Sequence, residues 1–259
     1  MTSFADQRRF RVLAHLDSQR RANIRELSYQ LGVSEANIRK DLEYLEELGL
    51  IKRVRDGAVT LPHYKLEQTH LVKMDLNREK KERIGQTAAG LIQPGESVIL
   101  DSGTTPLQVA HHICIDLRDR GQLTIYTASL PILREIGACP GIRLILLGGI
   151  YLHEYEALAG PQTVEILKDV RADKVFIGAD GITISHGITT AGILEADVNR
   201  HMLETSKEMI LVADSSKIGL IGLVSLAPLS RVNTLVTDCD APPGFVETLR
   251  NQGMQVILA

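Results

Sequence analysis

The stretch Leu100-Asp-Ser-Gly-Thr-Thr-Pro106 sets a carboxylate, three hydroxyls and a glycine between an apolar run, Ser97–Leu100, and an expected helix beginning near Leu107. Such a strand-to-helix turn suits an anion. Gly103 lets the backbone approach, and the hydroxyls of Ser102, Thr104 and Thr105 stand with free amides at the positive end of a helix dipole. Thr105 is expected as the N-cap and Pro106 as the first helical residue, where no N–H is needed. Similar turns recur at Thr127-Ala-Ser129, Gly148-Gly149, Gly178-Ala-Asp180-Gly181 and Asp214-Ser-Ser-Lys217, and Glu195 opens a helix after Gly187-Ile-Thr-Thr190. Any one of them would serve as a plain helix cap. Five at one sheet edge, with the Lys217 cation among them, point to a phosphorylated ligand.

The elements that must hold these turns alternate. Helix Glu82–Leu91 precedes strand Ser97–Asp101. A helix near residues 107–117, strand Leu123–Thr127 and helix Ser129–Gly137 follow. Then come strand Ile142–Leu147, helix Pro161–Lys168, strand Lys174–Ile177, helix Leu194–Lys207 and strand Met209–Ala213. Thr234–Thr237, helix Gly244–Asn251 and Gln255–Leu258 close the chain. Near-continuous apolar strands between helices predict an α/β domain with a mostly parallel sheet covered on both faces. Ligands then bind beyond the carboxyl ends of the strands, where the turns lie.

Residues 1–60 follow a different rhythm. Phe10, Val12, Leu13 and Leu16, then Ile24, Leu27 and Leu31, then Ile38, Leu42, Leu45 and Leu48 recur at helical spacing. Gly32-Val33 separates the second and third segments, Ser34 is placed to cap the third, and Gly49 to end it. Leu50–Arg55, an Asp56-Gly57 turn and Ala58–Leu61 read as a hairpin. Three helices and a hairpin make a winged helix-turn-helix. Glu35, Asn37, Arg39 and Lys40 point away from the apolar stripe near the helix start, the end that enters a major groove. Asn37 and Arg39 could read base edges, while Lys40, Lys52, Arg53 and Arg55 could hold phosphates. Residues 1–60 carry 11 Lys+Arg against 9 Asp+Glu and the rest 18 against 23, so a +2 head sits on a −5 body. The expected division is a winged helix-turn-helix over 1–61, a linker over 62–79 and a ligand-sensing domain over 80–259.

The 259 residues are 44% hydrophobic and 24% charged, ordinary for a globular chain. No long apolar run or signal-peptide pattern appears, so neither a membrane nor export is expected. Cys114, Cys139 and Cys239 lie far apart, which suits a reducing cytoplasm and no zinc site. His111, His112, His153, His186 and His201 form no metal motif, and no dinucleotide or Walker motif occurs. Neither metal nor cofactor is expected.

These residues resemble the DeoR family of bacterial sugar-metabolism repressors. The head matches through Leu27, Val33-Ser34, "NIRKDLEYLEELGL" and "RVRDGA". The body matches through "IGQTAAGLIQPGESVILDSGTT", Gly148-Gly149, "GITTAGILEADVNRHM" and "LVADSSK". The wording is nearest to members governing amino-sugar or hexitol use. The resemblance implies a body of the ribose-5-phosphate isomerase and CoA-transferase fold group. It also implies a repressor that binds double-stranded operator DNA and is relieved by a phosphorylated sugar or polyol. Its ligand pocket falls on Asp101, Ser102, Gly103, Thr104, Thr105, Thr127, Ser129, Gly148, Gly149, Gly178, Asp180, Glu195 and Lys217. Its recognition helix falls on Ser34–Leu48. Two departures stand out: the wing runs Arg53-Val-Arg55-Asp56-Gly57-Ala58 where the family has Arg-x-His-Gly-Gly-Ala, and Thr127-Ala128-Ser129 replaces Thr-Asn-Ser. A symmetric repressor is expected as a homodimer or homotetramer. The alternative is a phosphosugar isomerase with an accessory DNA-binding head, in which Glu195, Asp101 or Asp180 would be the base.

Overall fold

The computed structural model describes residues 8–9, 11–12, 15–16, 19, 21–47, 51–60, 73–74 and 76–259. Phe10, Leu13, Leu48, Gly49, Leu50, Leu61 and most of the expected linker lie outside the described residues.

In the head, the described residues between 8 and 19 are helical. Strand β1 (Arg21–Asn23) leads into α1 (Ile24–Leu31), and Asn23 Oδ1 caps α1 by accepting from the Arg25 amide. Gly32 ends α1 at φ +66°, the left-handed geometry glycine takes without cost. Helix α2 (Glu35–Glu47) begins after Ser34, whose hydroxyl accepts from the Asn37 amide at 3.3 Å, the cap expected of it. Val12, Leu16, Leu27, Ile38, Leu42 and Leu45 close into one apolar core. On α2, Asp41 is also buried. It takes the Arg8 guanidinium on both oxygens and Arg9 Nε at 3.2 Å, and the Arg9 guanidinium also lies 3.8 Å from the Tyr44 ring centre.

The hairpin β2 (Ile51–Val54) and β3 (Gly57–Thr60) turns through Arg55-Asp56, one residue earlier than expected. Gly57 is the first residue of β3, not part of the turn, and its reason is contact. β1 pairs with β3, and a Cβ on Gly57 would stand 1.8 Å from the Ala22 carbonyl oxygen.

The body begins with α3 (Arg78–Ala89), which starts inside the expected linker. Strand β4 (Ser97–Leu100) follows. The helix expected near 107–117 is two helices, α4 (Thr104–His111) and α5 (Ile115–Arg120). The Arg118 guanidinium donates to the carbonyls of Ala110, His111 and Ile113, satisfying the end of α4 while the chain turns. Next are β5 (Leu123–Thr127), α6 (Leu130–Ile136) and β6 (Ile142–Leu146). A hairpin of β7 (Ile150–Leu152) and β8 (Ala157–Ala159) leads to α7 (Pro161–Lys168) and β9 (Ala172–Ile177). The chain continues through β10 (Gly181–Thr183), β11 (Gly187–Thr190), α8 (Ile193–Glu204) and β12 (Ser206–Val212). It ends with β13 (Val224–Ala227), β14 (Thr234–Thr237), α9 (Pro243–Asn251) and β15 (Gln255–Leu258).

Seven strands form a parallel sheet in the order β15-β14-β12-β9-β4-β5-β6. Alternation along the strands feeds two cores. Val98 and Leu100 pack with Ile84, Val109 and Ile132 on one face. Ile99, Val175 and Leu211 pack with Leu167, Met202 and Leu249 on the other. From β4 the chain winds outward to β5 and β6, then returns past β4 to β9 and winds the other way. The winding therefore reverses between β4 and β9, where a crevice must open at the carboxyl ends. A smaller antiparallel sheet, β10-β11-β13, stands beside it. Leu223, just before β13, packs against the head's core.

Replacing Gly57 by alanine should force β1 and β3 apart and destabilise the head by about 2 kcal/mol or more. Thermal or denaturant unfolding followed by circular dichroism checks this; an unshifted transition would refute the packing role given to Gly57.

Candidate functional site

At the reversal, the buried Asp101 stitches the two strand ends. Its amide donates to the Phe176 carbonyl at 3.1 Å. Its Oδ2 accepts from the Gly178 amide at 3.0 Å and its Oδ1 from the Ser102 amide at 2.7 Å. The chain then enters α4 with Gly103, not Thr105, as N-cap, and no side chain caps the helix. Thr105 and Pro106 consequently sit within the first turn. The uncapped amides there open onto a cleft, with the dipole's positive end, as an anion requires.

That cleft opens to solvent and is lined by Asp101, Gly103, Thr104, Thr105, Gly178, Asp180, Glu195 and Lys217. Eight residues singled out in the sequence therefore meet in one place. Ser102 faces an adjoining small apolar cavity of Ala128, Leu152, Tyr155 and Met202, which shares Glu195 and Asn199 with the cleft. The other four line neither. The Thr127 hydroxyl donates to the Leu100 carbonyl and accepts from the Ser129 amide, and the Ser129 hydroxyl caps α6. The Gly148 carbonyl accepts from Thr163, and Gly149 (φ +152°) leaves room for that same threonine.

Six lining residues lie outside the predicted ligand set: Pro106 and Ala179, and the polar Lys73, Lys81, Thr190 and Asn199. Lys81 had a readable signal. With Ile84, Gly85, Ala88 and Ala89 it falls on the buried stripe of α3, a lysine where helical spacing calls for an apolar residue. Lys73 had none, lying in a polar segment without periodicity.

The electrostatics are those of a crowded, partly desolvated site. Asp180 Oδ2 accepts from the Ala191 amide (3.0 Å) and the Thr190 hydroxyl (3.2 Å), and its Oδ1 meets Lys73 Nζ at 2.7 Å and Lys217 Nζ at 3.9 Å. Burial alone would raise its pKa, but the two lysines outweigh it and hold the carboxyl down at about 2. Glu195 goes the other way. Enclosure, reinforced by Asp101 and Asp180, lifts it to about 8. The Thr190 hydroxyl lies within bonding distance of both Asp180 and Glu195 but has a single proton. A protonated Glu195 resolves this by donating to Thr190, which donates in turn to Asp180. Asp101 is raised as well, chiefly by burial. Lys81 falls to about 8 through burial and the nearby Lys217 and Lys73, partly offset by Asp214.

On the head, Ser34, Asn37, Arg39 and Lys40 stand exposed at the start of α2, and Lys52, Arg53 and Arg55 are exposed on the hairpin. Arg39 donates to Glu35 one turn back at 3.0 Å, and the Arg53 guanidinium stands 3.6 Å from Glu43. Exposed pairs of this kind are worth about 0–1 kcal/mol, so a phosphate or base edge can replace the carboxylate.

Residues 8–63 match the model of the DeoR-like helix-turn-helix domain, and residues 76–239 match that of the DeoR C-terminal sensor domain. The chain belongs to the DeoR family. DeoR-family relatives match along nearly all of it. The regulator GolR of Listeria innocua is 30% identical, covering 99% of each chain. The transcriptional repressor GlcR of Bacillus subtilis is 31% identical over 98% of this chain and 96% of its own. The transcriptional repressor AccR of Agrobacterium fabrum is 32% identical over 89% and 88%. Among solved structures, the sorbitol operon regulator SorC of Klebsiella pneumoniae matches over 95% of this chain and 98% of its own at 12% identity and a TM-score of 0.44. Ribose 5-phosphate isomerase A of Methanocaldococcus jannaschii matches over 55% of each at 16% identity and 0.40. As a DeoR-family member the chain is a DNA-binding transcriptional repressor with a sensor domain, and the isomerase alternative is set aside.

Glu195 makes stability depend on pH with a defined sign. Between its ordinary pKa of 4.5 and about 8, the folded protein keeps a proton that the unfolded chain has lost. Stability contributed by the protonated form is therefore full in acid and declines as pH rises through that window. Glu195→Gln removes the decline. Relative to the parent, the variant should gain on the order of 1–3 kcal/mol between pH 5 and pH 8.5, allowing for the residue's partial exposure. Paired denaturation curves across pH measure it, and a pH-independent difference would show that Glu195 titrates normally.

Proposed function

We propose that this repressor controls a sugar-utilisation operon and is relieved by a phosphorylated sugar or polyol bound in the cleft. The observation that carries this reading is a convergence. An uncapped helix start and the cations Lys73, Lys81 and Lys217 face three acidic side chains across one crevice. The phosphate goes to the amides and hydroxyls of Gly103–Thr105 and to Lys217. Asp101 and Asp180 accept hydroxyl bonds from the sugar, and Glu195, protonated at neutral pH, can donate one. Ser102 stands one layer back, beside Glu195.

The head places Asn37 and Arg39 against base edges and Lys40, Lys52, Arg53 and Arg55 against phosphates, with Ser34 fixing the helix start. The protein works as a homodimer or homotetramer on a repeated operator, in the cytoplasm, where its three free cysteines stay reduced.

A thermal-shift screen with phosphorylated sugars and polyols tests the cleft. A ligand taken by the native state raises the melting temperature, and Lys217→Ala and Thr104→Val should each reduce that rise. Full stabilisation of both variants would remove the phosphate from this place. For the head, Arg39→Ala should weaken operator binding by about 1–3 kcal/mol in a gel-shift titration; parental affinity would discard its role at a base edge.

A further inference from the structure

Lys73 does not belong to the α/β body. It lies on the segment by which the chain arrives from the head, yet its ammonium stands inside the cleft, on Asp180 at 2.7 Å. Two observations make this placement mechanical. The cleft's clear interior is only about 50 Å³, room for a few waters at roughly 10–15 Å³ each, so a sugar phosphate cannot enter unless something inside moves. The bonds on Asp180 also divide cleanly. Oδ2 is held by Thr190 and Ala191, both of the body, whereas Oδ1 faces Lys73 and Lys217. The contact that an entering ligand can exchange without breaking the body is therefore the one to Lys73.

The segment just after Lys73 is fastened. Asn77, at φ +55°, donates to Asp214 Oδ1 at 3.0 Å and to the Ser216 hydroxyl at 3.1 Å. Lys80 pairs with Asp238 at 3.0 Å and Asp240 at 2.7 Å. Lys81 Nζ donates to the Lys73 carbonyl. Residues 77–81 thus form a fixed strap on the ends of β12 and β14, and Lys73 lies beyond it on the side of the head.

Resting on the reading of the cleft as the effector site, we propose that Lys73 is itself an effector-binding residue: its ammonium leaves Asp180 for the ligand's phosphate while the sugar's hydroxyls take Asp180. Occupancy of the cleft is thereby transmitted to the chain that carries the DNA-binding head, by a change of partner at one lysine. An ammonium has three donors and a phosphate three acceptor oxygens, so those two charges pair, while Asp180 keeps its bonds from the Thr190 hydroxyl and the Ala191 amide and gains the sugar's hydroxyls.

Hydrogen–deuterium exchange on the full-length protein, with inorganic phosphate as the probe against chloride of equal ionic strength, tests this. Phosphate should slow exchange at residues 103–107 and change it at residues 73–81. In Lys73→Met the phosphate concentration needed at 103–107 should rise about tenfold and the change at 73–81 should vanish. Lys73→Arg, which keeps the charge, should restore much of both. Lys217→Met should also need more phosphate but keep the 73–81 change at saturation. Protection at 103–107 without any change at 73–81 overturns the role of Lys73 and leaves the anion site standing. A Lys73→Met midpoint equal to the parent's does the same, and tighter phosphate binding in that variant would mark Lys73 as a mere plug. Protection at neither place overturns both.

Discussion

A buried carboxylate at the point where the sheet reverses its winding is the contact on which the site depends. Parallel strands joined by helices must leave a gap where connections depart in opposite directions, here between β4 and β9. Asp101 closes the floor of that gap by accepting amides from both sides of it, Ser102 beyond β4 and Gly178 beyond β9. Its presence commits the neighbourhood to managing charge. Asp180 and Glu195 crowd the same small volume, and three carboxylates cannot all ionise there cheaply. The lysines hold Asp180 ionised while Glu195 keeps a proton, a division made by environment, since Asp and Glu differ little in water.

On the proposed function, the division also sets what the cleft can recognise. With Glu195 neutral and Asp180 ionised, the walls offer an acidic donor and a charged acceptor within one threonine's reach. Cations and backbone amides complete the other side. A molecule with hydroxyls at one end and a dianion at the other satisfies both walls, while a neutral sugar would leave the lysines with only protein carboxylates. Selectivity of that kind comes from unmet hydrogen bonds as much as from attraction.

The framework was legible because its signals are local. Apolar runs marked strands such as Thr234–Thr237 and Gln255–Leu258 to the residue, and Pro161 marked the start of α7. Signals set by distant partners were not. Strand β1 is three residues long and exists because Gly57 lets β3 approach; read alone, that glycine looked like half of a turn. The break between α4 and α5 comes from Arg118, whose reach to three carbonyls has no linear signature. In the cleft, the turn residues after β4 and β9 were found together because topology brings such ends together. Thr127 and Ser129 show the reverse: their residue types suit a ligand, but the backbone they support uses their hydroxyls. Lys81 was readable as a charge on an apolar stripe. Lys73 was not, because nothing in a polar stretch says which lysine will be folded back into a cleft.

On the proposed function, control of DNA binding asks more of the cleft than affinity. A ligand that bound equally well in every arrangement of the head would change nothing, however tightly it bound. The free energy that shifts the head must come from a contact that differs between arrangements. Bonds between the ligand and β4, β9 or α4 are poor sources, because those elements lie in the packed core of the body. A contact made by the connecting segment is different in kind, since any movement of that segment strengthens or weakens it directly. Fastening Asn77 and Lys80 to the ends of β12 and β14 sharpens this. Because Lys81 Nζ also holds the Lys73 carbonyl, displacement of the Lys73 ammonium is felt across residues 73–81. A coupling of 1–3 kcal/mol, the usual size for an allosteric effect, is within the worth of one charge-assisted hydrogen bond exchanged for another in a partly desolvated site.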